Sequence, residues 1–322
     1  MLVLTGAEIE TLLDLDALID ALAPAMADLS AGHASVPQRV AALTPDGLLG
    51  AMPGYVPSCG MLMSKLVTLF PGNVTLPTHQ AVILAFDPTT GAPTALLDGT
   101  SITALRTAAG SALSARLLAR PDAGILAILG TGVQARSHAR AVSRVRPIRR
   151  IRIASRDPAR AATLAAELST TLPAEPAESY QDALAGADIV CATTHAIEPV
   201  VRREWLHPGT HVTSVGYNPA GRELDDATVA EAVVCVESRS AVLAPFPAGS
   251  NDLLEPVRDG LITADHIHAE LGELVLGLKP GRTSPEQITV YKSVGVAVQD
   301  AAATALVLAA ARDRGVGREI AL

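Results

Sequence analysis

Aromatic side chains are almost missing from this chain: tryptophan, tyrosine and phenylalanine together make up 2% of it. Proteins that grip single-stranded nucleic acid stack bases on such side chains and line the path with basic residues. Here Lys and Arg number 25 against 33 Asp and Glu, a formal charge of −8, so nucleic acid is not an expected partner. Cysteine is nearly as scarce. Cys59, Cys191 and Cys235 stand far apart with no C-x-x-C, a pattern of buried thiols in a reducing compartment, and a cytoplasmic protein is expected. No basic segment leads into an apolar one at the N-terminus, and the most apolar stretch, 301–311, is too short to span a bilayer. Neither secretion nor a membrane partner is therefore expected. The chain also lacks a P-loop, a G-x-S-x-G elbow and any metal-ligand motif. His266 and His268 with Glu270 and Glu273 form a local cluster, but their spacing fits no zinc motif; an exposed helix start is the expected account, with no metal.

What the chain does have is apolar bulk, 49% hydrophobic over 322 residues, enough for two domains with sizeable cores. Thr5 and Glu8 make a capping box for a short first helix, and Asp14 caps a second that runs to Gly32. From Pro37 the pattern turns to strands at 39–43, 48–52, 61–69, 80–86 and 95–98, read as an antiparallel sheet. A long Ala-rich helix follows from Ser101 to Ala119, and Pro121 marks a domain boundary. Strands at 124–129, 151–154, 187–192, 210–215, 233–237 and 287–291 then alternate with helical segments, the signature of a doubly wound α/β domain over 121–292. The last helix, 294–312, is expected to return to the first domain, giving a division into 1–120 with 293–322, and 121–292.

The organising feature is the first strand of that second domain. It breaks into Gly130, Thr131, Gly132, Val133, Gln134 and Ala135, a G-x-G-x-x-A turn opening a helix, which is the dinucleotide fingerprint. Gly130 permits the tight turn, Gly132 keeps a side chain away from the pyrophosphate, and Ala135 lets the helix approach its strand. Sites for NAD commonly carry an acid at the end of the second strand to hold the ribose hydroxyls. Here Ser155 and Arg156 stand there, with Arg160 one turn on, a set suited to a 2′-phosphate. NADP(H) is the expected preference, with Asp157 keeping NAD(H) open and a solvated basic face as the structural alternative.

In the first domain, Arg39, Lys65 and Arg106 sit in apolar surroundings. Period two puts Lys65 on the same strand face as Met61, Met63 and Val67, so it is expected to be buried or to face a cleft. A desolvated lysine amine exchanges protons readily, and the fork of Arg106 can clamp a carboxylate. Taken singly, each is equally well read as a structural ion-pair residue.

Together, VPQRV at Arg39, AMPGY at Met52, SKLVTLFPGN at Lys65, LLDGTSITALRTAAGSALSARLLA, GTGVQA, ATTHAIEPVV, HPGTHVTSVGYNPAGRELD and YKSVGVAVQD resemble the ornithine cyclodeaminase and mu-crystallin family. The resemblance implies a Rossmann domain in the middle of the chain. It also implies an α+β substrate-binding and dimerisation domain built from both termini, a homodimer, and a small amino or imino acid as substrate. It implies carboxylate binding by Arg39 and Arg106, with Met52 beside them, and Lys65 at the reacting nitrogen or oxygen. Thr107, Thr193, Gly216 and Lys292 match family positions lining the cofactor. One departure stands out. Where the family's cyclodeaminases carry an aspartate after the fourth Rossmann strand, this chain has Asn218, which cannot act as a general base. The expectation is an NAD(P)H-dependent reductase of small, cyclic α-imino acids, as in the ketimine reductase branch. Ornithine cyclodeaminase, an alanine-type dehydrogenase and a non-catalytic crystallin-like binding protein are the alternatives.

Overall fold

The computed structural model describes residues 1–321, which divide into two compact units: Met1–Arg106 with the segment from Gly295 onward, and Thr107–Val294. The chain opens with β1 (Leu2–Leu4), then α1 (Gly6–Leu12) and α2 (Leu15–Ser30). Thr5 and Glu8 form the reciprocal capping box at α1, and the Asp14 carboxylate accepts from Ala17 N at 2.8 Å to start α2. Next come β2 (Val40–Leu43), β3 (Leu48–Val56), β4 (Met61–Leu69), β5 (His79–Phe86), β6 (Pro93–Asp98) and the long helix α3 (Gly99–Leu118). The first unit ends inside α3, whereas the sequence points to 120/121. Ala115 and Ala119 on the last turns of α3 belong to the apolar core of the second unit, which explains the earlier division.

The second unit runs β7 (Ile125–Leu129), α4 (Val133–Val145), β8 (Arg150–Ala154), α5 (Pro158–Leu168), β9 (Ala174–Pro176), α6 (Tyr180–Leu184), β10 (Ile189–Ala192), β11 (His211–Ser214), α7 (Asp226–Glu231), β12 (Val233–Val236), α8 (Arg239–Val242), α9 (Asn251–Arg258), β13 (Ile267–Glu270), α10 (Leu271–Val275) and β14 (Thr289–Lys292). Its eight strands form one sheet in the order β13-β12-β14-β11-β10-β7-β8-β9, and every pairing is parallel. Both faces are buried. Leu126, Ile128, Ile151 and Ile153 point into one core, and Ala127, Leu129, Val190 and Val212 into the other, which is why these strands read as continuous apolar runs. Strand β7 lies between β8 and β10, where the winding reverses, so the turn after it sits at the switch point at which such sheets bind ligands. One expectation is corrected here. His266 to Glu270 is not a helix start: 267–270 is edge strand β13, and the helix begins afterwards with a Glu270–Glu273 capping box.

The chain closes with α11 (Ala297–Arg314), packed on α2, β3 and β4, and with β15 (Arg318–Glu319). The first unit's sheet has seven strands in the order β15-β1-β6-β5-β4-β3-β2. It is antiparallel from β2 to β6, as expected, but β1 adds parallel to β6, so the whole is mixed. Strands β1 and β15 escape a sequence reading because each is very short and pairs only with remote chain. Among the described residues, no helix is long and apolar enough to cross a membrane.

Candidate active site

Strand pairing places Lys65 opposite Met52 on β3 and Ile83 on β5, on the sheet face that packs against α11. Its side chain is only 2% exposed. Nζ lies 2.9 Å from Asp300 Oδ2 and 3.0 Å from Oδ1 on the first turn of α11, and 3.5 Å from Thr103 Oγ1 on α3. Burial, and next the nearby Arg106, push the Lys65 amine down to about 7; Asp300 opposes both. Arg106 reaches the same carboxylate, with Nε donating to Asp300 Oδ1 at 3.1 Å and Nη1 to Gln299 Oε1 at 2.6 Å. Arg39, just before β2, donates from Nη2 to Gly295 O at 3.1 Å. The structure thus gathers Arg39, Lys65 and Arg106, with buried Met52, around one short stretch that begins at Gly295. Burial alone would raise the Asp300 carboxyl, but Arg106 and Lys65 outweigh it and hold the group below the ordinary range. The arrangement is a cationic cluster tied to a single buried carboxylate, suited to binding an anion and passing a proton at Lys65.

The fingerprint residues lie in the second unit. Gly130 has φ +108°, and a Cβ there would meet Thr193 O at 2.8 Å and Oγ1 at 2.9 Å, so only glycine fits. Thr193 fixes this approach by donating both its N–H and its hydroxyl to Leu129 O. Beyond it, Thr131, Gly132 and Val133 open the turn into α4. Nothing lies within 4 Å of a Cβ placed on Gly132, and no side chain caps α4, whereas Asp157, Ser179, Asp225, Ser238 and Ser250 cap α5 to α9. Gln134 Oε1 is buried without a partner among the described residues. An open glycine and a helix N-terminus left without a side-chain cap, its N–H groups free to donate, together fit a dinucleotide pyrophosphate.

At the tip of β8, Ser155 Oγ is engaged with the Asp157 backbone, accepting from its N–H and donating to its carbonyl at 3.0 Å each. The Asp157 carboxylate caps α5, accepting from Ala159 N at 3.0 Å, and lies 3.5 Å from Arg160 Nε. Arg156 is exposed. Thr107 is buried on α3. Lys292 closes β14. It is fully buried, ion-paired to Asp252 at 2.8 Å, and donates to Ser214 Oγ at 3.0 Å and Gly216 O at 2.9 Å, so it fixes the Gly216 backbone from beneath. Glu223 completes that support, accepting from Thr194 N at 2.6 Å, Ser214 Oγ at 2.7 Å and Gly216 N at 2.8 Å. Asn218 shapes the exposed end of the loop, its Nδ2 donating to His195 O at 3.1 Å and its Oδ1 accepting from Ala220 N at 2.9 Å.

The family model for the ornithine cyclodeaminase/mu-crystallin family matches residues 1–315. The chain belongs to that family. It is 39% identical over 298 residues to the ketimine reductase mu-crystallin of Mus musculus, covering 90% of each chain. Among solved structures, the Delta(1)-pyrroline-2-carboxylate reductase of Thermococcus litoralis, in complex with NADH and L-proline, superposes with a TM-score of 0.95 at 39% identity, over 99% of this chain and 100% of that one. An archaeal alanine dehydrogenase dimer with bound NAD follows at TM-score 0.93 and 31% identity, over 100% of this chain and 99% of that one. This ornithine cyclodeaminase/mu-crystallin family member therefore has the Rossmann-type α/β fold expected.

Sequence reasoning missed Asp300, Gln299, Glu223 and Asp252. Asp300 and Gln299 carried a legible signal: a carboxylate and an amide inside the apolar run from Ala297 to Ala303, both fully buried in the fold, require polar partners. His138 is buried, with Nε2 2.9 Å from Ser111 Oγ; burial pushes it down to about 4. Among the described residues, no group of His, Cys, Asp or Glu could hold a metal ion.

Proposed function

We propose that this protein reduces small cyclic α-imino acids to the corresponding amino acids with NAD(P)H. The observation that carries this reading is the buried set of Lys65, Arg106 and Asp300, in a chain whose relatives include reductases of C=N bonds. A bound nicotinamide cofactor supplies the hydride. Arg39 and Arg106 bind the substrate carboxylate and so fix the imine carbon next to it, positioning that accounts for a large share of such catalysis. Lys65 carries the proton that the substrate nitrogen takes up. With its amine near 7, Lys65 is found in both protonation states at neutral pH and is reprotonated readily after each turnover.

The preference for NADP(H) rests on Arg156, exposed at the end of β8, and on Asp157 being occupied with capping α5, which takes it away from a ribose. Removing Arg156 deletes one charge-assisted contact to a 2′-phosphate. Arg156→Ala is therefore expected to raise KM for NADPH by about 10- to 100-fold, from ~1.5–3 kcal/mol, and to leave KM for NADH nearly unchanged. Equal effects on both cofactors would remove the phosphate assignment.

A homodimer is supported by the outer face of the first unit's sheet, where Val40, Leu49 and Val82 are exposed, and by the dimeric state of the archaeal alanine dehydrogenase. The free thiols Cys59, Cys191 and Cys235 suit a reducing cytoplasm. Deamination of ornithine is disfavoured because Asn218 lacks an ionisable group and is committed to its turn. Nicotinamide absorbance tests the reading with a panel of pyrroline-2-carboxylate, piperideine-2-carboxylate, pyruvate with ammonia, and ornithine. Cofactor oxidation with the cyclic imines is expected. Proline formed from ornithine without net cofactor change would replace reduction with cyclodeamination.

A further inference from the structure

The segment from Gly295 to Asp300 touches all three cations of the candidate site. Gly295 O accepts from Arg39 Nη2 at 3.1 Å. Gln299 Oε1 accepts from Arg106 Nη1 at 2.6 Å and from Val296 N at 3.3 Å. Asp300 takes Arg106 Nε at 3.1 Å and Lys65 Nζ at 2.9 Å. Gly295 also has φ +78°, and a Cβ on it would stand 2.9 Å from both Arg106 Nη1 and Nη2, so glycine is required for the guanidinium to sit where it does.

From this geometry we propose that Asp300 is the positioning residue of the reaction: it holds the Lys65 ammonium in its charged, proton-donating form and orients the fork of Arg106. The inference rests on the imine-reductase reading for its catalytic meaning, but its effect on Lys65 can be measured without substrate. The groups facing Lys65 fix the sign. Arg106 on α3 and Arg39 before β2 are permanent cations that disfavour a third positive charge. His79 on β5 is pushed down to about 4, by burial first and then by Lys65 and Arg106, so it is neutral throughout the working range. Thr103 on α3 is uncharged. Asp300, on α11, supplies the opposing negative charge against Lys65. Neutralising it leaves an ammonium desolvated and repelled by two guanidinium groups, so the proton is lost at lower pH.

In the direction of imine reduction, Lys65 must hold a proton. Activity is then present below its titration point and lost as pH rises through it. Asp300→Asn is expected to move this alkaline fall in kcat/KM to lower pH by about one unit or more, with turnover recovering once the pH is below the displaced titration. A purely structural lesion would instead depress the whole profile. Asp300→Glu, which keeps the charge, is expected to restore the fall towards its original position.

The lysines of this chain are Lys65, Lys279 and Lys292, so NMR of protein labelled at the lysine side-chain carbon next to nitrogen gives a readable titration, with Lys65 assigned by its loss in Lys65→Met. A downward shift of the Lys65 titration in Asp300→Asn, matching the kinetic shift, is the expected result. An unmoved titration in folded Asp300→Asn overturns the proposal. Asp300→Ala, which also removes the charge, supplies the same readout should the asparagine variant fail to fold. If the wild-type protein turns over no imine while the Lys65 titration still depends on Asp300, the functional reading fails and the positioning role stands.

Discussion

Lys65→Ala is expected to cut imine reduction by about a thousandfold in kcat, the scale of a lost general acid, with NADPH affinity unchanged. The two halves of this expectation come from different parts of the fold. Lys65 lies on β4, in the unit that carries the cation cluster, whereas the fingerprint glycines, the uncapped start of α4 and Arg156 belong to Thr107–Val294. The substitution leaves the buried Asp300 carboxylate with Arg106 at 3.1 Å as its counter-charge, so the fold is expected to survive, with a stability loss of about 2–3 kcal/mol from the lost side chain. Stopped-flow turnover with a cyclic imine, set beside fluorescence titration of NADPH, separates the two effects. Turnover retained at more than a tenth of the original would remove Lys65 from the proton transfer.

Arg106→Ala should be costly in two ways. Its guanidinium bonds Asp300 and Gln299 at the same time, and in the proposed mechanism its free edge takes the substrate carboxylate. Truncation leaves Gln299 Oε1 with a weaker partner and Asp300 with Lys65 alone. Breaking a buried pair in this way costs about 3–5 kcal/mol, and losing a charged hydrogen bond to the carboxylate lowers kcat/KM by about 10²–10³-fold. Arg106→Lys keeps the charge but lacks the planar fork. It should recover part of the stability and little of the activity. Thermal unfolding together with kcat/KM for the imine checks both. If the alanine variant were destabilised yet bound and turned over substrate normally, Arg106 would be a structural ion-pair residue and nothing more.

How far the sequence revealed this site depended on the range of the interactions involved. The fingerprint turn was legible because its requirements are local: Gly130 needs a positive φ, Gly132 needs an open face, and both stand between an apolar strand and a helix. Lys65 was legible because strand periodicity put it on an apolar face, and it is indeed buried. The partner that gives Lys65 its character was not. Asp300 lies 235 residues away, and only the fold shows which cation it meets. Lys292 was named as a cofactor-lining residue from family resemblance, and its bonds to Asp252 and the Gly216 carbonyl are an arrangement that no local pattern encodes. The same holds for the His266–Glu273 stretch. Its polar residues resembled an exposed helix start, but Ile267 and Ala269 are buried in an edge strand of the parallel sheet, where tertiary pairing overrides local preference. The proposed cofactor preference stays closest to the sequence, since Ser155, Arg156 and Asp157 are consecutive.

The most direct test follows the hydride itself. NADPH carrying deuterium at the transferring position of the nicotinamide is incubated with the enzyme and pyrroline-2-carboxylate, and the proline formed is analysed by mass spectrometry and NMR. Deuterium at the α carbon, the imine carbon held beside the carboxylate by Arg39 and Arg106, is the predicted result, in proportion to the NADPH consumed. Proline without deuterium, or NADPH and NADH both left unconsumed in the presence of the imine, would contradict imine reduction as the function of this protein.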